Sequence, residues 1–449
     1  MKITADLHLH SKYSRAVSPR MSVFEMARWG SKKGIDLLGT ADITHPLWLK
    51  ELEANLEEAD EGTYQLKAGA QNSAPGVKFV LAGEISSIYS QGGKGRRIHN
   101  LIIVPSFSVV KKINSQLLAR GCNLMSDGRP IIGLSSMDLA ELVFGVSDDC
   151  LIVPCHVWTP WFSLYGSKSG FDSIEECFGP WADKIYAIET GLSSDPAMNW
   201  RIKDLENRSI ISCSDAHSPE KLGREATIFK FRNKESESGG QKFSYQDLAG
   251  AIKQDPKSNW QIAYTIEFYP EEGKYHYSGH RKCGIRHSPD ETEQKGALCP
   301  TCGKELTLGV MHRVQELADR KVKIKKQANK ENLVGYFDVS NPKRPPYVML
   351  VPLIEIIAEA IDAGTQTQKA QSLYHQLVDR FKSEFSILME IDLKAIKNLV
   401  GERVAEGVAK VRQGDIVVDP GYDGVFGVVS IWPKEGKVLV NSNEQMGLF

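Results

Sequence analysis

His8 and His10 are the first residues of this chain whose type and spacing could do chemistry. They close the run Lys2-Ile3-Thr4-Ala5-Asp6-Leu7-His8-Leu9-His10, whose alternating apolar and polar residues read as a short buried strand ending at the carboxyl edge of a sheet. Residues two apart on a strand face the same way, so both imidazoles would point into one cavity while Leu7 and Leu9 pack behind. Such a pair suits a borderline divalent cation such as Zn²⁺ or Mn²⁺, although a lone His-x-His also fits two packed, hydrogen-bonded histidines. Repetition of the layout favours the metal. An apolar run from Ile35 ends in Asp42 and His45, and one from Lys78 ends in Glu84. The run from Ile98 to Val104 carries His99, the run from Cys150 ends in His156, one from Lys184 ends in Glu189, and one from Ser209 ends in Asp215 and His217. All six histidines before residue 276 belong to such a run or its flank.

These side chains need a scaffold that gathers strand ends at one face. Strand-like runs alternate with helical stretches through the first half, among them a helix over residues 22–33 with Ser22 as N-cap, and the pattern is that of an α/β domain. In an α/β barrel the carboxyl ends of parallel strands meet at the functional face. The chain has 449 residues, 41% hydrophobic and 25% charged, which calls for two or three well-buried soluble domains. No apolar run approaches the ~20 residues of a membrane span and no signal segment opens the chain, so a cytoplasmic, nucleoid-associated protein is expected. The formal net charge of -1 excludes a global attraction to nucleic acid and leaves local basic patches to provide one.

Five of the 8 cysteines (Cys122, Cys150, Cys155, Cys177 and Cys213) stand singly and read as reduced thiols. Cys299-Pro300-Thr301-Cys302-Gly303 is a Cys-x2-Cys knuckle able to place two sulfurs on one tetrahedral ion. Cys283 supplies a third ligand. The fourth is His280, at the matching two-residue spacing, or His287. A closed four-ligand site of this kind is structural, with Zn²⁺ as the expected ion.

The histidine and acid runs resemble a known family. His8-Leu9-His10, Gly39-Thr40-Ala41-Asp42-Ile43-Thr44-His45, Gly83-Glu84, His99, Cys155-His156 and Cys213-Ser214-Asp215-Ala216-His217 are similar to the successive motifs of the polymerase and histidinol phosphatase (PHP) superfamily of metal-dependent phosphoesterases. The resemblance spans roughly residues 1 to 265. It implies a distorted seven-stranded β/α barrel with two or three metals, Zn²⁺, Mg²⁺ or Mn²⁺. One metal would lie among His8, His10, Glu84 and Asp215, and a second among Glu84, His99 and His156. Asp42, His45 and His217 would serve a third metal or its water, with Asp215, Glu84, His217 and Asp42 as the catalytic set. Two departures stand out. Two residues separate Asp42 from His45, where the family has Asp directly before His, and Ser14, Arg15 and Ala16 stand where a further ligand often sits. Arg15 is then either a phosphate contact or a basic surface residue.

A narrower resemblance covers nearly the whole length. Thr44-His45-Pro46-Leu47-Trp48, Glu84-Ile85-Ser86-Ser87-Ile88-Tyr89, Tyr275-His276-Tyr277-Ser278-Gly279-His280-Arg281-Lys282-Cys283 and Leu308-Gly309-Val310-Met311-His312-Arg313-Val314 are similar to endonuclease Q. In that family a PHP domain precedes a zinc module and a helical C-terminal region, and members nick DNA on the 5′ side of deaminated bases (uracil, hypoxanthine, xanthine) and abasic sites. The implied domains are residues 1–265, 266–320 and 321–440, with a tail over 441–449.

DNA contacts are expected from Arg15, from Arg96 and Arg97 in a basic Gly-rich segment, and from Trp158 and Trp161, which with Phe162 and Tyr165 follow His156. That aromatic loop reads either as a wall for an extruded base or as the loop's own core, and Trp48 has the same two readings. A helix over residues 314–330 would carry Lys321, Lys323 and Lys325, and Lys343 and Arg344 precede a Pro-Pro break. Glu189 reads as a support for a ligand, a base, or a solvated strand end. The pentapeptide Gln445-Met446-Gly447-Leu448-Phe449 looks like a bacterial sliding-clamp motif, with Gln445 as polar anchor and Leu448 and Phe449 filling an apolar pocket. Three functions follow: a DNA repair endonuclease, a phosphomonoesterase, or a non-catalytic adaptor on DNA or the clamp. The zinc module, basic segments and tail count against the second, and the nearly complete ligand set against the third.

Overall fold

The structure is a computed structural model and describes residues 1–69, 76–232, 242–433 and 440–441. Gln445, Leu448 and Phe449 lie outside the described residues. The chain forms two compact units. One comprises Met1–Ser31, Ile35–Gly191 and Asp204–Thr265, and the other Lys32–Gly34, Leu192–Lys203 and Ile266–Phe449.

The first unit is an α/β body on a mixed sheet. β1 (Lys2–Asp6) pairs in parallel with β2 (Leu37–Gly39), and β2 in parallel with β5 (Lys78–Gln91). β3 (Leu56–Asp60) and β4 (Thr63–Leu66) form an antiparallel edge beyond β5. β5 turns into the antiparallel β6 (Lys94–Val104), with Gly92 and Gly93 at φ 61° and 73° supplying the positive backbone angles that such a tight hairpin turn requires. β7 (Ile131–Ile132) lies parallel to β5, β8 (Leu151–Pro154) runs antiparallel to β6, and β9 (Ala187–Glu189) pairs in parallel with β10 (Ser209–Ile211). β11 (Ala226–Phe231) is antiparallel to β1 and neighbours β12 (Trp260–Glu267). Leu7, Val80, Leu101, Val153, Phe229 and Trp260 belong to one buried apolar cluster that ties these strands together.

Two sequence expectations change here. The run from Lys78 does not end at Glu84 but continues as one strand to Gln91, because nothing that breaks a strand occurs before Gly92. Glu84 and His99 therefore project from the middle of an antiparallel hairpin, where parallel strand ends were expected. The N-terminal helix matches its expectation closely, spanning Val23–Lys33 with Glu25 N donating to Ser22 Oγ at 3.4 Å.

In the second unit an antiparallel hairpin, β13 (Ser278–His280) and β14 (Ile285–His287), precedes short helices at Pro289–Lys295 and Val310–Leu317. The helix expected over residues 314–330 stops at Leu317. Lys321 and Lys323 lie in the connection that follows, and Lys325 lies on β15 (Ile324–Ala328), which pairs with β16 (Val334–Asp338). The physical reason is a period of two in Lys321-Val322-Lys323-Ile324-Lys325. Val322 is buried and Ile324 half-buried, while the three lysines are exposed. β16 continues to β17 (Tyr347–Met349), and helices follow at Leu353–Ala360, Gln368–Phe381, Glu384–Met389, Leu393–Val400 and Glu402–Gln413. The last two meet at Gly401, whose φ is 100°.

Arg412, buried in the last of these helices, caps a neighbouring one. Its Nε donates to Leu388 O at 2.9 Å, and its Nη2 donates to Ile387 O at 2.9 Å and Ile391 O at 2.6 Å. Arg412→Ala strands these carbonyls without a donor, and the expected loss is about 3 kcal/mol in urea unfolding. A Leu variant, which restores apolar volume but no donor, should recover little of it.

Candidate metal centre

Glu84 stands at the centre of the first unit's candidate site. On the pleated hairpin it shares a face with Ser86, whose cross-strand partner is His99, so the carboxylate and the imidazole are diagonal neighbours. Glu84 Oε1 lies 2.6 Å from His99 Nδ1 and 3.3 Å from His156 Nε2. Its other oxygen, Oε2, lies 3.2 Å from His10 Nε2 and 3.6 Å from His8 Nε2. Asp215 Oδ1 completes this second set at 3.0 Å from His10 Nε2 and 3.8 Å from His8 Nε2. Glu84, His99 and His156 make one group able to hold a cation, His8, His10 and Glu84 a second, and His10, Asp215 and His217 a third. The two oxygens of one carboxylate thus serve different groups, as a ligand bridging two cations does.

The local backbone explains how distant segments reach this point. His8 and His10 follow β1, and His10 N donates to Ala216 O at 3.1 Å, pinning the first motif to the last. Asp6, fully buried, accepts from Ser214 N and Gly223 N at 2.9 Å each and so braces the turn that presents Asp215; burial raises its pKa to about 6. Asp42, His156 and Asp215 all adopt positive φ (42°, 31° and 46°), conformations that non-glycine residues hold only when their surroundings fix them. Gly191, at φ 60°, packs directly on His156, and a Cβ there would come within 2.3 Å of the His156 Cβ. Gly191→Ala should therefore displace His156. The expected outcome is a loss of about 2–4 kcal/mol in thermal unfolding together with lower metal content per chain.

Electrostatics follow from burial. Burial drives the His99 pKa down to about 4, against the pull of Glu84. For Glu84 and Asp215 burial works the other way and is overcome. His99, His8 and Arg129 hold Glu84 well below the usual carboxylate range, and His10, His8 and His217 do the same for Asp215. Both acids are therefore ionised acceptors. His8 Nε2, His10 Nε2 and Asp215 Oδ1 are buried with no hydrogen-bond partner, although they converge on one another. Unsatisfied imidazole nitrogens and carboxylate oxygens aimed at one space are what divalent cations bind, so the donor set fits the metals that the resemblance implies.

Glu189, for which the sequence leaves open a support, a base or a solvated strand end, accounts for the orientation of two ligands. Its Oε1 lies 2.9 Å from His8 Nδ1, turning Nε2 towards Glu84, and its Oε2 accepts from His156 N at 2.9 Å. Asp42 is likewise a support. Its Oδ2 accepts from Ser11 N at 2.8 Å, Ser11 Oγ at 2.5 Å and Ser14 Oγ at 2.9 Å, and its Oδ1 lies 3.5 Å from His10 Nδ1.

The structure does not bring Asp42 or His45 into any of the candidate groups. The two residues inserted between them place His45 at the start of the helix Pro46–Asn55, where its Nδ1 accepts from Trp48 N at 3.4 Å and its ring stacks 4.5 Å from Tyr13. Trp48 itself is a core residue whose Nε1 donates to Thr40 O and Ala41 O.

The expected DNA contacts divide. Trp158 is fully buried and stacks on Tyr165 at 4.8 Å, so this pair forms the loop's own core and cannot receive a base. Trp161 and Phe162 are half-buried, and Phe162 lies 4.8 Å from the His99 ring. Arg96 is held inward by Gly170 O and by the Phe171 ring at 3.9 Å, which makes it a brace for the loop, whereas Arg97 is exposed 5.5 Å from Phe162. Arg15 is 73% exposed beside Asp127. Lys343 is exposed, but Arg344 is tied to Asp338 at 2.8 Å and is structural. Arg129 was missed altogether; it donates to Glu84 Oε2 at 3.1 Å from a polar turn with no periodic signal.

In the second unit His280, Cys283, Cys299 and Cys302 converge, with Cys302 Sγ 3.5 Å from His280 Nδ1. His280 is at the turn end of the β13–β14 hairpin beside Cys283, while His287 pairs with Ser278 at the other end and is outside the group. Gly303 N donates to Cys299 O at 2.8 Å and Cys299 N to Lys304 O at 2.7 Å, closing the knuckle. Against desolvation, the N–H groups of Cys302 and Thr301 bring the Cys299 thiol down to about 6.

Comparison with known proteins bears on both units. The profile of a family described as the MJ0043 C-terminal domain matches residues 352–415. Uncharacterised protein MJ0043 of Methanocaldococcus jannaschii is 33% identical over 281 residues, 62% of this chain, and the chain spans only 32% of that relative's length. Uncharacterised protein YqxK of Bacillus subtilis is 28% identical over 95% of this chain and 99% of its own. Among solved structures, the lesion-specific endonuclease PfuEndoQ of Pyrococcus furiosus is 30% identical with a TM-score of 0.78, covering 98% of both chains. The chain belongs to the endonuclease Q family. A second endonuclease Q, solved with a 27-mer duplex bearing an abasic lesion at its active site, is 31% identical with a TM-score of 0.79 over 98% of this chain and 99% of that one. The α/β fold, with its mixed sheet and large helical part, is the endonuclease Q fold. Among the described residues no helix is long and apolar enough to cross a membrane.

Proposed function

We propose that this chain is a metal-dependent DNA repair endonuclease that hydrolyses the phosphodiester on the 5′ side of abasic sites and deaminated bases. Membership of the endonuclease Q family supports the class of reaction, and one relative was captured on a duplex with an abasic lesion at its active site. The observation that carries the reading in this chain is the division of the two Glu84 oxygens between separate imidazole groups.

In this reading His8, His10, Glu84 and Asp215 hold one cation, and Glu84, His99 and His156 hold another. Zn²⁺, Mn²⁺ or Mg²⁺ bound there supplies a strong nucleophile at neutral pH and neutralises charge on the phosphate. The chain's own residues do the rest. Glu189 and Asp42 keep the imidazoles turned inward. His217, 38% exposed, has Nδ1 2.8 Å from Asp215 O, which leaves Nε2 as the nitrogen that can accept a proton. Hydrolysis forms a bond from a water oxygen to phosphorus, breaks the ester bond to the leaving sugar oxygen, and returns one proton to that oxygen. The first unit is read as a PHP-type barrel and His280, Cys283, Cys299 and Cys302 as a structural zinc site. The tail over 445–449 is kept as a clamp contact on its sequence alone.

The test offers purified protein a labelled duplex with one abasic site, uracil or hypoxanthine, an undamaged duplex and a chromogenic phosphate monoester, each with and without Mn²⁺, Mg²⁺ or Zn²⁺. Metal-dependent cleavage of the damaged strand alone supports the proposal. Release from the monoester alone, or binding without cleavage, overturns it.

A further inference from the structure

Arg129 belongs to none of the ligand groups, yet it reaches Glu84, the residue they share. Its Nη1 donates to Glu84 Oε2 at 3.1 Å, and the side chain is 26% exposed, so it is anchored at one corner and open at the other. A guanidinium has five N–H donors in a rigid fork, and the bond to Glu84 leaves most of them for something else.

The fork is held from its backbone. Gly128 N donates to Tyr13 O at 3.0 Å, Arg129 N to Asp127 Oδ1 at 3.2 Å, and Ser86 N to Pro130 O at 3.0 Å, so the turn is fixed on both sides of Arg129. Glycine is required at 128, because a Cβ there would lie 2.2 Å from Asp42 Oδ2 and 2.4 Å from Ser14 Oγ. Asp127 also accepts from Arg15 N at 3.2 Å, which ties the turn to the loop after the first motif. Nearby, Asp42 Oδ2 accepts from Ser11 and Ser14, and His45 Nδ1 accepts from Trp48 N.

We infer that Arg129 grips a non-bridging oxygen of the phosphodiester being cut and supplies it with the positive charge of a fixed guanidinium. This rests on the reading of the site as a DNA hydrolase. As the water oxygen bonds to phosphorus and the ester bond opens, negative charge grows on the non-bridging oxygens, and a donor already in place stabilises that change without rearranging. The competing role, in which Arg129 only neutralises Glu84, predicts a different outcome.

The experiment uses the full-length, metal-loaded protein and two duplexes with the same abasic analogue. One has an ordinary linkage on its 5′ side and the other an uncharged methylphosphonate. Wild-type protein should bind the charged linkage more tightly, and that preference should shrink about tenfold in Arg129→Gln with metal content per chain unchanged. Arg129→Lys, which keeps the charge without the fork and disturbs folding least, should lose part of the preference. Undiminished preference in both variants overturns the inference. So does a lost preference in Arg129→Gln accompanied by lost metal, since Arg129 would then act through Glu84. Failure of wild-type protein to nick an ordinary abasic duplex would instead remove the hydrolase reading.

Discussion

Asp215→Asn is expected to lower the single-turnover nicking rate on a duplex with one abasic site by about a thousandfold or more, while the Kd for that duplex changes by less than about threefold. The carboxylate lies between His10 and His8, and its Oδ1 is buried without a hydrogen-bond partner. Asparagine preserves the volume but replaces an anionic oxygen with an amide that is a far weaker ligand to a hard or borderline cation. Binding should be spared because phosphate contacts spread over a surface supply most affinity for DNA, and the exposed residues proposed to make them (Lys321, Lys323, Lys325, Lys343 and Arg97) are untouched. Rapid-quench nicking and fluorescence anisotropy on one preparation separate the two quantities. Nicking within tenfold of wild type would remove Asp215 from the proposed site.

What could be read in the sequence was set by how local the signal was. His8 and His10 share a short segment with a period of two, and Cys299 and Cys302 share one turn, so spacing alone brought each pair together. Glu84 was found for a partly wrong reason. It was read as the end of a strand, whereas β5 runs through it to Gln91, and its reach to His99 comes from cross-strand register that one strand cannot display. The basic run at residues 321–326 misled because lysines are compatible with a helix, and only the alternation of Val322 and Ile324 marked the strand. Arg129, Asp127 and Glu189 gain their places through bonds to segments 45 to 181 residues away, such as Arg129 to Glu84 and Glu189 to His8. No pattern within a short window carries that information. Trp158 lost its expected role because Tyr165 folds back on it, with Tyr165 N donating to Val157 O at 2.8 Å.

Cys299→Ser should lower stability and zinc content together. Cys299 is buried with its thiol proton already weakly held, at a pKa of about 6, and it shares a compact group with His280, Cys283 and Cys302. In a closed tetrahedral site the affinity for the ion is folding free energy, on the order of 10 kcal/mol for small zinc modules. Loss of one thiolate should forfeit about 3 kcal/mol of it. For a unit of this size that corresponds to a fall in Tm of roughly 6–12 °C. Zinc per chain, measured by plasma mass spectrometry, should fall by about one equivalent, with the first unit's metals retained. Cys122→Ser is the control, since Cys122 stands apart from any candidate ligand group and should change neither quantity. Chelation of the wild-type protein should reproduce the loss of Tm, and readdition of Zn²⁺ should reverse it. A Cys299→Ser protein that kept its Tm and full zinc content would show that the four residues lie together without an ion that matters to folding.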